Sequence, residues 1–259
     1  MPRGISRYDD AFVQKRLWTP ADQSIPMGLW LDGSDLTTIT YGTSGISQWN
    51  DKSGNARHAT QATDANRPTL KLDAYSNLSV VSLIANQWMS STFSASNSAE
   101  SLFAVIRVTG LSTRTILGAD NTGGRQFRTE GDGQLGFIAQ NVSNLALTGV
   151  GFTHNVDRFT LVYLEYDNTN TRFLSEGTQL GNTTTVVPNL TAARTTRISR
   201  GAGGAEDFVG DIAEIIVCTS KIAGHLRQKI EGYLVWKWGF ADKLQSGHRF
   251  NSRPPTIGD

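Results

Sequence analysis

Cysteine is almost missing from this 259-residue chain: Cys218 stands alone, so no intrachain disulfide can staple the fold. Nor is one sign of charge in excess. The 24 Lys and Arg nearly balance 23 Asp and Glu, leaving a formal net charge of +1, so no global field draws the chain to nucleic acid or to an anionic membrane, and neither is an expected partner. No apolar run approaches the roughly 20 residues a membrane span requires. The opening stretch Met1 to Asp10 lacks the apolar segment of a secretory signal, which implies synthesis in the cytoplasm without a Sec-type address. The 4 histidines, His58, His154, His225 and His248, are scattered, with no pair at zinc-ligand spacing. Gly201-Ala202-Gly203-Gly204 has no following Lys-Ser or Lys-Thr, which makes it a hairpin loop and not a phosphate cradle. Gly45-Ile46-Ser47-Gln48-Trp49 lacks the second glycine of a nucleophile elbow.

What is present is organised around the closing stretch Asp207 to His248. In Phe208 to Val217 the apolar positions begin on Phe208 and Ile212 and then move to Ile215 and Val217. That change of phase requires an extra residue near Ala213 or Glu214, which a β-bulge supplies. After Cys218-Thr219-Ser220 the period lengthens to about 3.6, with Ile222, Leu226, Ile230, Tyr233 or Leu234, and Trp238 on one side. The pattern predicts an amphipathic helix over about 222–238, ending at Gly239 after the cation Lys237. Its start has Ala223 where a capping side chain would serve.

Upstream, short strands alternate with Gly, Asn, Asp and Ser turns, the spacing of a β-sandwich or barrel. Ser101 to Val108 and Phe159 to Tyr166 are apolar on both faces and so belong mid-sheet, under a second layer. Asp167 to Asn170 closes a hairpin. The leader, 1–27, interleaves Arg3, Arg7, Lys15 and Arg16 with Tyr8, Phe12, Leu17 and Trp18, and Pro20 and Pro26 interrupt any regular element. It reads either as an arm packed along its own domain or as one that docks on a neighbouring subunit.

The run Leu29-Trp30-Leu31-Asp32-Gly33-Ser34-Asp35, then Ser47 to Asn55 with Arg67-Pro68, resembles the opening of concanavalin A-like (LamG-like) jelly-roll domains of the group common in tailed-phage virions and bacterial surface proteins. Phe208-x-Gly210-x-Ile212-x-Glu214-Ile215 and Ile230-Glu231-Gly232-Tyr233-Leu234-x-Trp236-Lys237-Trp238-Gly239 resemble its close, and His248 with Pro254-Pro255 the tail that follows. Leu83-Ile84-Ala85 departs from the family's usual Phe-Asp-Gly type turn, and Ala223 from its cap serine. The resemblance implies an all-β fold: a two-sheet antiparallel jelly-roll sandwich over 28–248 with one C-terminal α-helix, an N-terminal arm 1–27 and a tail 249–259.

The resemblance leaves function open among glycan binders, oligomerising virion parts and occasional glycosidases; the arm's apolar residues and the lack of catalytic groups, with the likeness, make the expectation a non-enzymatic virion protein, a capsid decoration (cement) or tail-associated part, made in the host cytoplasm. Its partners would be other virion proteins and its own copies, as a homo-oligomer and specifically a trimer, with Tyr8, Phe12, Leu17 and Trp18 as the assembly arm. The alternative is a glycan-binding, receptor-binding module with Trp88, flanked by Asn86 and Gln87, or the loop Gly201 to Gly204 at the site and a host glycan as partner. A glycoside hydrolase is the remote alternative, since Asp211 and Glu214 are three apart and face opposite ways unless the bulge intervenes. Arg194, Arg197 and Arg200 form no stripe under strict alternation, Arg197 opposing the other two. No cofactor is expected; Asp32, Asp35 and Asp51, with Asn50 and Asn55, are calcium candidates whose competing reading is Asx-turns.

Overall fold

The computed structural model describes residues 16–96, 98–120, 124–139, 145–147, 158–188, 193–202, 204 and 206–259. Its strands are β1 (Met27–Asp32), β2 (Ile39–Tyr41), β3 (Ile46–Trp49), β4 (Ala59–Thr60), β5 (Thr69–Tyr75), β6 (Leu78–Leu83), β7 (Met89–Ser94), β8 (Glu100–Val108) and β9 (Arg114–Ala119). They continue as β10 (Arg125–Thr129), β11 (Leu135–Ala139), β12 (Leu145–Leu147), β13 (Thr160–Tyr166), β14 (Thr171–Ser175), β15 (Thr178–Thr184), β16 (Thr195–Ile198) and β17 (Gly210–Cys218), followed by the helix α1 (Gly224–Lys237). Two antiparallel sheets result. One has 8 strands in the order β15-β14-β13-β8-β17-β6-β5 with β1 also on β17; the other has 9, in the order β12-β11-β10-β9-β16-β7-β4-β3-β2.

Between the sheets lies one core, including Leu29, Leu31, Trp49, Phe93, Leu102, Ile106, Leu117, Phe127, Phe137, Leu164 and Phe173. A second core lies outside the eight-stranded sheet, where Phe103, Val105, Leu161 and Tyr163 meet Ile222, Leu226, Ile230, Leu234 and Trp238 of the helix region. The two strands apolar on both faces, β8 and β13, are therefore adjacent and central, each with a core on either side.

The phase change in β17 is a bulge: its pairing with β8 slips between Ile212 and Glu214. Ile212, Ile215 and Val217 thereby all reach the inter-sheet core, while Ala213, Ile216 and Cys218 face the helix. At the same point the other edge of β17 passes from β6 to β1. The helix closes as its sequence predicts: Gly239 takes φ +75° and the Phe240 amide returns to the Val235 carbonyl. Its N-cap, Ala223, makes no side-chain cap bond. Where the Phe-Asp-Gly type turn is missing, Asn86 supplies the left-handed residue at φ +68°. The Asp167–Asn170 hairpin forms, with the Asp167 carboxylate accepting the amides of Thr169 and Asn170.

Among the strands, β15 follows β14 closely, and β5 and β7 carry mainly Ser, Thr, Lys and Asp on their outward positions. Leader and tail pair with each other: Leu17 bridges Thr256, and the Trp18 amide donates to the Pro255 carbonyl. Trp236 is 37% exposed, its indole N–H held by the Phe250 carbonyl.

Candidate functional site

The helix region covers the outer side of the eight-stranded sheet over β1, β17 and β8, while Glu165 of β13 lines a small pocket with Arg172 and Lys221. The bulge brings Asp211 and Glu214 to the same helix-covered side, the only arrangement in which they could cooperate, yet both side chains are fully buried. Asp211 is paired with Lys71 Nζ at 2.9 Å and with Arg107. Glu214 accepts from Trp30 Nε1 (2.7 Å), Tyr233 Oη (3.0 Å), Lys237 Nζ (2.7 Å) and Trp238 Nε1 (2.9 Å). Burial, and then the charge of Asp32 directly across the strand pair, push the Glu214 carboxyl above its ordinary range despite Lys237. Glu231 is held likewise by Arg227 and His248. Glu214 and Glu231 organise the packing of the helix, Asp211 ties β17 to Lys71 of β5 and Arg107 of β8, and all three side chains are fully buried.

The nine-stranded sheet differs in that its outward face carries no second layer of core residues among those described. In strand register that face reads Thr40, Gln48, Thr60, Ser90, Arg197 and Gly118 across β2, β3, β4, β7, β16 and β9. A pocket of about 280 Å³ lies on it, lined by Gln48, His58, Thr60, Ser90, Thr92 and Thr195 among others. Its chemistry is hydroxyl, amide and imidazole. The Gln48 amide N–H donates to Asn50 Oδ1 at 2.7 Å, leaving Gln48 Oε1 to accept. His58 Nδ1 accepts the Asp51 amide at 3.1 Å, which places the ring proton on Nε2 as a donor.

Beside this pocket, two residues from Ser90 on the same face, stands Trp88. It is half-buried, with guanidinium carbons of Arg197 and Arg200 at 5.0 and 5.2 Å from its ring centroid. Strict alternation would have put those arginines on opposite faces. Ser199, at φ +74°, breaks the alternation, and its hydroxyl is tied to the carbonyls of Gln87 and Phe208. Asp207 then clamps Arg200 at 2.7 and 2.8 Å and accepts the Asn86 amide. Trp88 is thus a support for guanidinium groups more than a bare platform. Asn86 and Gln87 shape the turn before it: the Gln87 side chain accepts the Ile84 amide. The Gly204 amide closes on the Gly201 carbonyl, and Gly203 lies outside the described residues.

The calcium candidates are occupied by protein donors. Lys52 Nζ sits 2.8 Å from both Asp32 and Asp35, and Lys237 Nζ is 2.7 Å from Asp32. Asp51 accepts the amides of Trp30, Ser53 and Arg57, the Asx-turn arrangement. Among the described residues no group of three His, Cys, Asp or Glu is placed to hold a metal. Of the assembly-arm residues, Tyr8 and Phe12 lie outside the described residues. Trp18 is buried edge-on against Tyr233 with Lys229 over its ring, while Leu17 is 59% exposed. The residues that sequence reasoning missed are Gln48, His58, Thr60, Ser90, Thr92 and Thr195. The faint signal was β7 itself, where Met89, Ser91 and Phe93 alternate inward and leave a hydroxyl-bearing set facing out.

No family model matches the chain, and no curated protein matches it either. Solved structures do match. The binding domain of Paraclostridial Mosquitocidal Protein 1 aligns with a TM-score of 0.59 at 10% identity, over 80% of this chain and 52% of that one. Domain 4 of AbnA, a GH43 extracellular arabinanase from Geobacillus stearothermophilus determined in complex with arabinotriose, aligns at 0.55 and 13% identity, over 78% and 96%. A botulinum neurotoxin type C structure, described as dependent on two ganglioside molecules for cell entry, aligns at 0.52 and 13% identity, over 81% and 51%. The chain spans about half the length of the mosquitocidal binding domain and of the neurotoxin chain it matches. At these identities the likeness establishes the fold, a jelly-roll β-sandwich of the kind found in carbohydrate-binding domains.

Proposed function

We propose that this chain is a carbohydrate-binding module without catalytic function, its ligand lying on the outward face of the nine-stranded sheet in the pocket between Gln48, His58, Thr60, Ser90 and Thr195. The observation that carries the reading is the asymmetry of the sandwich: helix, leader and tail close one sheet, while the other presents a hydroxyl- and amide-lined pocket. Sugars match such a surface because each hydroxyl both donates and accepts. The solved neighbours support the reading through what their descriptions say of those proteins: a toxin binding domain, an arabinotriose complex and ganglioside-dependent entry. The test is a glycan array followed by titration calorimetry on the intact chain. Binding should fall at least about tenfold in Gln48→Ala, since one hydrogen bond is worth about 1 kcal/mol and its unpaired partner costs more. A clean negative across a broad array refutes the reading.

Assembly into a phage particle is a second proposal, resting on the sequence resemblance; none of the three neighbours described above is a virion protein. The structural feature that favours it is the exposed apolar pair Leu17 and Trp236 beside Pro254 and Pro255, where leader, helix and tail meet, as a contact for a capsid or tail protein. Leu17→Glu should then keep the fold and abolish incorporation into particles. Unchanged incorporation excludes that contact.

A further inference from the structure

We infer that the ligand is an acidic glycan, a sugar bearing a carboxylate or sulfate, and that Arg197 receives its oxyanion at the edge of the polar pocket. This rests on the carbohydrate-binding reading above and adds the class of sugar.

The argument begins from a contrast between two guanidinium groups on one indole. Arg200 is held in a two-pronged clamp by Asp207. Arg197, equally close to Trp88, has no carboxylate partner among the described residues, and its Nε is buried without a hydrogen bond. Several other arginines at least partly buried are matched: Arg107 with Asp211, Arg125 with Glu100, Arg128 with Glu130, Arg158 with Glu176, Arg227 with Glu231. Arg57 and Arg114 donate to backbone carbonyls, and Arg194, like Arg197, has a buried Nε without a hydrogen bond but lies over no indole among the described residues. Lying against an indole restricts a guanidinium's rotamers and removes water from one of its faces, so its planar fork is preorganised for a bidentate oxyanion.

Strand register fixes where that oxyanion would sit. Arg197 is directly opposite Ser90 on β7 and Gly118 on β9. Two residues beyond Gly118 comes Asp120, whose amide donates to the Thr195 carbonyl at 3.0 Å and which forms no ion pair with Arg197. Its negative charge disfavours an anion on the β9 side. The β7 side carries Trp88, Ser90 and the pocket, with a hydroxyl and no carboxylate in that row. A sugar seated over Thr60 and Ser90 therefore presents its acidic substituent to Arg197 with no carboxylate in that row, and a neutral sugar leaves the guanidinium without an anionic partner.

The experiment uses the full chain and matched oligosaccharide sets: neutral, uronate- or sialate-bearing, the methyl esters of those acids, and sulfated. The acidic forms should bind roughly 10- to 100-fold tighter than the neutral ones, the worth of a bidentate charge-assisted contact, and the preference should shrink as salt is raised. The methyl esters should lose the advantage on the wild-type protein, so the result does not depend on a variant folding. Arg197→Gln should remove the preference of acidic over neutral sugars. Tighter binding of the carboxylates than of the sulfates, or the reverse, distinguishes the two sources of the anion. Equal affinity for acids, esters and neutral sugars overturns the inference while leaving carbohydrate binding intact. No binding to any set overturns both.

Discussion

Replacing Glu214 by alanine tests whether this buried carboxylate is structural. Its two oxygens accept four donors, from the indoles of Trp30 and Trp238, the phenol of Tyr233 and the ammonium of Lys237. In Glu214→Ala, Lys237 keeps Asp32 at 2.7 Å, but the three neutral donors lose their acceptor inside a sealed layer. Each unpaired buried donor costs about 1–3 kcal/mol. Against that sum stand the relief of desolvating Glu214 and of its repulsion with Asp32, the two effects that raise its pKa. The net expectation is a loss of about 3–5 kcal/mol, in line with breaking other buried ion pairs and a large part of the 5–15 kcal/mol available to a typical domain. Glu214→Gln should cost less, because its carbonyl oxygen can still accept from Trp30 and Tyr233. The assay is urea unfolding followed by tryptophan fluorescence, with glycan binding measured below the transition, where affinity should be unchanged. A loss under about 1 kcal/mol for alanine, or a selective loss of ligand binding with full stability, refutes the structural assignment.

Two further outcomes follow from the same kind of reasoning. Burial raises the Asp211 carboxyl, but the hydrogen bonds and charges of Lys71 and Arg107 outweigh it and hold the group below its ordinary value, so the unfolded chain binds its proton first. Asp211 therefore contributes stability that is complete at neutral pH and lost as pH falls below about 4; the urea midpoint should drop there, and Asp211→Asn should be less stable at pH 7 with a shallower acid limb, an unchanged limb refuting it. Ala223→Ser introduces the cap that the helix lacks and should raise stability by about 0.5–1 kcal/mol, measured by the urea midpoint, with no gain showing that the Ala223 backbone cannot use a cap.

The sandwich was legible because its signals are local. Unbroken apolar runs mark β8 and β13 as strands covered on both faces, and the slip of phase between Ile212 and Ile215 announces a bulge before any partner strand is known. The helix carries its own stop in Gly239, whose positive φ few other residues accept. Strands such as β5 and β7 give a weaker signal, because Leu72 of β5 is exposed among polar neighbours and Ser and Thr fill the positions of β7 around Met89 and Phe93.

The proposed binding face was not legible. Gln48, Thr60, Ser90 and Arg197 are far apart in sequence and become neighbours only through antiparallel pairing across β3, β4, β7 and β16. Whether Arg197 and Arg200 share an indole depended on one left-handed residue, Ser199, held by hydrogen bonds to Gln87 and Phe208 that no local rule foresees. The amino-acid order alone determined that the chain makes two β layers, a bulged closing strand and one amphipathic helix, since each follows from apolar spacing within a few residues. Tertiary structure decided which layer the helix would cover and which face would stay open to a ligand, because that choice is made by long-range strand register and by which arginines find carboxylates.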